Sequence, residues 1–334
     1  MRTNKMKRHI SLNVLSDIFN KHKLGNIKNA EILTGGEFNS VWKITTDDSQ
    51  KYVIKIAPKS NTQVMTYEQN LTESEVYAYR KLSELNAVHI PKIFGYSTNA
   101  DAPYQYLIME FIEGKTLLNT KLTNSECDKV MYILGQAMAE MHNISVGDDF
   151  GYIQNGLKST WKDAYLSMVD NIINDALAKH ARIPYLNEIK ALINQNLPVL
   201  NDVKTPSLIH FDLWAGNIIL NEHNDLYCII DCERAMLGDK MGEFISLDYI
   251  TPFSTLKNKS LIAGYNSLAN EKIEFNTDEM IRLYLMRLYL GLIANVEIYY
   301  RYPKFSAQFL GRYLFSKKFL KTTIGELKKY ANRH

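Results

Sequence analysis

Hydrophobic positions along the chain recur first at a helical spacing, then in alternation, then at a helical spacing again. Leu12, Leu15, Ile18 and Phe19 fall on one face behind Ser11, a residue type that caps helices, and Gly25 is placed to end the run. Over residues 27–56 the pattern shortens into strands, with Thr46 to Gln50 as the turn between the second and third. A helix is expected over residues 71–85, and residues 90–96 and 104–111 supply two further strands. Past Gly114 the helical period returns. Val130, Ile133, Leu134, Ala137, Met138 and Met141 form a broad apolar face ending near His142, and residues 161–180 and 184–200 each read as one helix. Residues 256–269, 277–302 and 306–331 are also helical in period, and the aromatic residues crowding them read mainly as contacts between helices. No internal repeat, low-complexity stretch or flexible linker interrupts the chain.

Between these two helical regions, after the break at Pro206, lies a segment of different character. Two short apolar runs, residues 218–220 and 227–230, flank the polar stretch 221–225 and predict a hairpin. The hairpin puts Asn217 at the start of one strand and Asp231 at the end of the other, with Asp212 in the loop just before. Three oxygen-bearing side chains therefore converge. An Asp that accepts a proton, beside an Asn and an Asp that offer hard oxygen ligands, is what phosphoryl transfer from a magnesium–nucleotide complex requires.

Composition narrows the class without changing that reading. A chain of 334 residues, 46% hydrophobic and 22% charged, is long enough for two lobes and apolar enough to give each a core. The net charge of +3 gives no reason to expect nucleic-acid or membrane partners. No apolar run follows the basic residues at the start, so neither an export signal nor a membrane span is expected, and the expected location is cytoplasmic. Cys127, Cys228 and Cys232 then read as reduced thiols.

The ordered set His210-x-Asp212, Asn217, Asp231-x-Glu233 and Gly238-Asp239 resembles the aminoglycoside phosphotransferase and choline kinase superfamily of small-molecule kinases. The resemblance runs from about Leu33 to Phe244 and is sharpest between Leu208 and Asp239. Two departures are visible: Phe211 stands where the family usually has Gly, and Lys240 and Glu243 stand where it often has Pro and a second Asp. The resemblance implies an α+β, two-lobed protein-kinase-like fold. Its N-terminal lobe, residues 1–112, would carry a mostly antiparallel five-stranded sheet and end in a hinge, and its mainly helical C-terminal lobe, residues 113–334, would carry the catalytic loop and acceptor site. It further implies Asp212 as the base and Asn217 and Asp231 as magnesium ligands. ATP or GTP would be bound by Gly35, Gly36 and Ser40 of a glycine loop, by Lys55 paired with Glu75, and by the Glu110 carbonyl and Ile112 amide at the hinge. By itself Lys55 reads as the solvated face of an edge strand, and Thr72-x-x-Glu75 as a helix capping box.

The function expected is transfer of a phosphoryl group from a nucleoside triphosphate to a hydroxyl of a small molecule such as a sugar, an amino sugar, a small amine or an antibiotic. The rivals are a catalytically silent kinase-shaped binding or regulatory protein and a Ser/Thr protein kinase. Retention of Lys55, Asp212, Asn217 and Asp231 argues against the first; the lack of a full G-x-G-x-x-G loop, an Asp-Phe-Gly triplet and an Ala-Pro-Glu segment argues against the second. Residues 316–334 hold six Lys or Arg against one Glu. Acidic residues to serve a cation, Asp163, Asp170, Asp248 and Glu297, are scattered. A neutral or singly charged acceptor is therefore expected over a polycation.

Overall fold

The structure, a computed structural model, describes residues 7–8, 10–34, 36, 38–99, 102–245 and 258–331. Its first half is an antiparallel sheet in the order β1-β2-β3-β5-β4, built from β1 (Ile27–Leu33), β2 (Ser40–Thr46), β3 (Lys51–Ile56), β4 (Ile93–Ser97) and β5 (Tyr106–Glu110). Side chains on a strand alternate between faces. Tyr52, Ile54, Ile56, Tyr106 and Ile108 therefore share one face, and they are covered by Leu15, Ile18 and Phe19 of α1 (Leu12–Lys21). Val53, Leu107 and Met109 point to the opposite face, against Val76, Tyr79 and Leu82 of α2 (Leu71–Leu82). Lys55 belongs by register to this second face, so alternation alone aims it at α2.

Two expectations about α2 are corrected. It stops at Leu82, where the Ser83 amide bonds back to Tyr79 and the Glu84 amide to Lys81. It begins at Leu71 behind Asn70, which holds a left-handed conformation (φ 55°), so Thr72 is already inside the helix and forms no capping box with Glu75. Glu75 is thereby left for another partner.

The remainder of the described chain is mainly helical, with α3 (Asn124–Asn143), α4 (Trp161–Ala178), α5 (Leu186–Gln195), α6 (Leu197–Leu200), α7 (Lys259–Leu268), α8 (Thr277–Arg301) and α9 (Ala307–Ala331). The single helix expected over residues 184–200 is two. It breaks at Asn196 because the ring of Pro198 cannot sit inside a continuous helix without clashing with the carbonyl four residues earlier. The helix expected from residue 256 is described from Lys259, and its first residues lie outside the described ones. Helices α3 and α7 cross at close range: a Cβ on Gly135 would lie 2.1 Å from the Leu261 carbonyl oxygen, and one on Gly264 2.0 Å from that of Tyr132. A large core joins α3, α4 and α8 through residues such as Leu134, Met138, Tyr165, Met168, Leu288 and Ile293. No helix among the described residues is long and apolar enough to cross a membrane.

Five short strands position the loops that matter. β8 (Ile218–Leu220) and β9 (Leu226–Ile229) form the expected hairpin, extended by β6 (Lys115–Thr116). β7 (Ser207–Ile209) pairs with β10 (Met236–Gly238), which the sequence pattern did not reveal. The α+β architecture expected from the sequence is the architecture found.

Candidate active site

Strand β7 delivers the chain into the loop 210–217, and buried hydrogen bonds fix its shape. Glu243, fully buried, accepts from the His210 amide at 2.6 Å and the Phe211 amide at 3.2 Å. Glu243 thus reaches both loop amides directly. His210 accepts from the Asp212 amide through Nδ1 (3.2 Å), so its proton is on Nε2, which donates to the Ile230 carbonyl (3.0 Å). The imidazole braces the loop against the hairpin. Phe211 adopts φ 60°, a region where glycine is at ease and a side chain is not, and its buried ring lies 5.9 Å from that of Tyr289.

Asp212 leaves this loop with its Oδ2 accepting from Asn217 Nδ2 at 3.1 Å, while the same amide nitrogen donates to the Asp212 carbonyl at 2.8 Å. Both bonds use the nitrogen end of Asn217. Burial pushes the Asp212 carboxyl up to about 6, against the opposing charge of Arg234.

Across the cleft, Lys55 Nζ lies 2.5 Å from Glu75 Oε1 and 2.6 Å from Asp231 Oδ1. Burial disfavours its charge, but the two carboxylates outweigh burial and raise its pKa. Asp231, with φ 68°, is held from behind by its own amide, which donates to the Tyr79 hydroxyl at 2.9 Å. One lysine therefore ties α2 to the end of the hairpin.

The other sequence candidates are distributed unevenly. Gly35 lies outside the described residues. Gly36 is described, and a Cβ there would meet nothing within 4 Å. The Ser40 hydroxyl is engaged with the backbone of Arg8, accepting at 2.7 Å and donating to its carbonyl at 3.1 Å, so the structure does not bring it to the cluster. Asn39 comes instead, donating to Glu233 Oε2 at 2.9 Å. At the end of β5 the Glu110 carboxylate accepts from the Lys92 amide and contacts His89 Nε2 at 2.8 Å, while the His89 ring stacks on Tyr227. Through His89 the Glu110 side chain ties the hinge to the hairpin. The backbone groups of Glu110 and Ile112 lie where the chain leaves the sheet.

Arg234 and Tyr67, which the sequence reading passed over, complete the site. Arg234 Nη2 reaches Glu297 Oε2 at 3.4 Å, and its guanidinium lies over the Tyr67 ring at 5.6 Å from the centroid. Glu297 also pairs with Arg301 at 2.9 Å, and Arg301 pairs with buried Glu68. Tyr67 stacks on Tyr152, whose hydroxyl contacts that of Tyr289. Burial pushes Glu233 up to about 8. Arg234 lies within the motif itself, three positions after Asp231, but its partners come from residues 67 and 297. Only the fold reveals them. A cleft of about 1010 Å³ opens nearby, its wall including Phe38, Gln63, Glu68, Asp175, Lys179 and Tyr300.

The donor set fits a magnesium ion carried by a nucleotide better than a free-standing metal site. Asp231 is about a third exposed with only Oδ1 engaged, and Asn217 keeps its amide oxygen free because both its bonds use nitrogen. Among the described residues no group of three or more His, Cys, Asp or Glu is placed to hold a metal. Two hard oxygen ligands suffice only where phosphates supply others.

Comparison with known proteins gives a consistent answer. A model of the phosphotransferase enzyme family matches residues 29–266. A probable ketoamine kinase from Klebsiella aerogenes is 25% identical over 223 residues, 61% of this chain and 71% of the relative. A probable acyl-CoA dehydrogenase, IBR3, from Arabidopsis thaliana is 25% identical over 206 residues, 58% of this chain, and the match spans only 24% of that longer protein. Among solved structures, a candidate fructosamine-3-kinase from Thermobifida fusca superposes with a TM-score of 0.67 at 16% identity, covering 97% of this chain and 100% of the other. The streptomycin–ATP ternary complex of APH(2")-IIa superposes with a TM-score of 0.62 at 17% identity, covering 96% and 99%.

Proposed function

The chain belongs to the phosphotransferase enzyme family and is a small-molecule kinase, and from that premise we propose that it transfers the terminal phosphoryl group of ATP or GTP directly to an acceptor hydroxyl, with Asp212 as the base. One observation carries this reading. Lys55, Asp212, Asn217 and Asp231, from three segments of the chain, form two adjoining bonded pairs, Lys55 to Asp231 at 2.6 Å and Asn217 to Asp212 at 3.1 Å, which His210 connects through Ile230 and the Asp212 amide.

Each residue then has a task that its surroundings suit. Lys55 keeps Glu75 and exchanges Asp231 for phosphate oxygens. Asp231 and the amide oxygen of Asn217 hold magnesium, which when bound neutralises charge developing on the phosphates. Asp212, ionised at neutral pH, orients the acceptor hydroxyl and takes its proton as the new O–P bond forms and the bond to the departing nucleoside diphosphate breaks. The Glu110 carbonyl and Ile112 amide pair with the base edge, and Gly35 and Gly36 let backbone amides approach the phosphates. On this reading residues 1–112 are the nucleotide lobe and 113–334 the acceptor lobe. The names of the sequence relatives make ketoamines the first acceptor class to try.

The test is acceptor-dependent ADP release with Mg·ATP over a panel of ketoamines, sugars and amino alcohols. Asp212→Asn should lower turnover about 10²-fold or more while nucleotide affinity stays nearly unchanged. Near-normal turnover in that variant removes Asp212 from the mechanism.

A further inference from the structure

Arg234 is a buried cation at the site that the phosphotransferase reading leaves without a task. Its side chain is 16% exposed, so it has lost most of its water, yet its only hydrogen bond among the described residues is the 3.4 Å contact to Glu297. A guanidinium has five N–H donors in a planar fork. Glu297 is itself shared, because Arg301 takes its other oxygen at 2.9 Å. Arg234 therefore keeps most of its donors unused beside Asp212, whose ionisation its charge supports.

Its contacts differ from those of the nucleotide's anchor. Lys55 pairs with Glu75 and Asp231, whereas Arg234 pairs with Glu297 and lies over the Tyr67 ring. Tyr67 stacks on Tyr152, the Tyr152 hydroxyl meets that of Tyr289, and the Tyr289 ring lies against Phe211, so these contacts lead from Arg234 to the residue beside Asp212, where an acceptor must lie if Asp212 is the base. The carboxylates that would draw a cation there are otherwise placed. Glu297 is neutralised by two arginines, Asp163 holds the Thr160 hydroxyl at the start of α4, Asp170 is exposed on α4, and Asp248 lies outside the described residues.

We propose that the acceptor is a hydroxylated compound bearing an oxyanion, a carboxylate or a phosphate ester, and that Arg234 holds that group through its free donors while Asp212 engages the hydroxyl. The proposal rests on the phosphotransferase reading and narrows its substrate class. A planar fork matched to two oxygens fixes direction as well as charge, so the hydroxyl would be presented to Asp212 in one orientation.

The test pairs compounds that differ in the oxyanion: gluconate with sorbitol, galacturonate with galactose, and glycerate and glycerol 3-phosphate with glycerol. Two readouts are taken, acceptor-dependent ADP release with Mg·ATP and the thermal unfolding midpoint under saturating Mg·ADP, which needs no turnover. The expected result is a preference of about tenfold or more in kcat/KM for the oxyanion member of at least one pair, or a rise in midpoint that only oxyanion members give. Arg234→Gln should erase it by raising the acceptor KM and leave the nucleotide KM alone, and Arg234→Lys should keep part of it. The glycerate and glycerol 3-phosphate arms tell carboxylate from phosphate. Turnover confined to neutral or amine compounds would leave the phosphotransferase reading intact and overturn this one. So would the absence of any oxyanion-selective stabilisation, or a loss in Arg234→Gln that falls on the nucleotide KM. Oxyanion protection that requires Arg234, without acceptor-dependent ADP release from any compound, would do the reverse.

Discussion

Phe211 sets a backbone preference against a packing gain at a single residue. Its φ of 60° disfavours any side chain by roughly 1–2 kcal/mol, which glycine would recover. Its ring, however, is almost completely buried against Tyr289, and emptying a Phe-sized site costs about 3–5 kcal/mol. The second effect is larger. Phe211→Gly should therefore lower unfolding stability by about 2 kcal/mol, read as a reduced urea midpoint at unchanged slope. A more stable variant would mean that the ring contributes little packing. The loop keeps its shape through Glu243 in either case, since that carboxylate bonds backbone amides at 210 and 211 and not the Phe211 side chain.

At the scale of elements, the α3–α7 crossing should be the least tolerant contact in the helical half. The Leu261 carbonyl lies 2.1 Å from where a Gly135 Cβ would stand, and a backbone oxygen cannot swing aside as a side-chain tip can. Gly135→Ala should destabilise by about 1–3 kcal/mol, as overpacking does, despite the better helix propensity of Ala. Calorimetry reads the result directly, and an unchanged midpoint would show that the helices can part freely. Elements also divide what the sequence revealed from what it hid. β3 was legible because six residues give alternation room to appear, and that alternation fixes the side of the sheet on which Lys55 lies. β7 and β10 were hidden because three residues show no period, and the split between α5 and α6 was missed although Pro198 marked it. The Asp212–Asn217–Asp231 grouping was legible from the hairpin. The Arg234 network was not, because its partners arrive from a short turn near residue 67 and from near the C-terminal end of α8. Ser40 was carried in by motif position, and no local rule foretold that its hydroxyl would meet Arg8.

On the scale of the whole molecule, the sheet half and the helical half are joined across the cleft by polar ties: Lys55 to Asp231, Asn39 to Glu233, Glu68 to Arg301, and Thr66 to Asp175. The first of these joins the residue that should grip phosphates to the one that should grip magnesium, so the two sites neutralise each other until a nucleotide separates them. On the proposed reading, nucleotide binding would break the 2.6 Å ion pair and form stronger charge pairing in its place. The metal is then essential to the gain, because without it Asp231 would face phosphate oxygens of like charge once Lys55 had left. Ligand protection follows RT ln(1 + [L]/Kd), about 2.7 kcal/mol at a hundredfold excess over Kd, so the metal's share is read by comparing thermal midpoints with nucleotide plus magnesium and with nucleotide plus chelator. In the wild type magnesium should add a clear increment. Asp231→Ala should abolish the increment, since the full charge is gone, and Asn217→Ala should reduce it, since only a neutral oxygen is lost. If both variants kept the wild-type increment, the magnesium ion would have to be held elsewhere, and the tie between Lys55 and Asp231 would be a structural contact that nucleotide binding leaves in place.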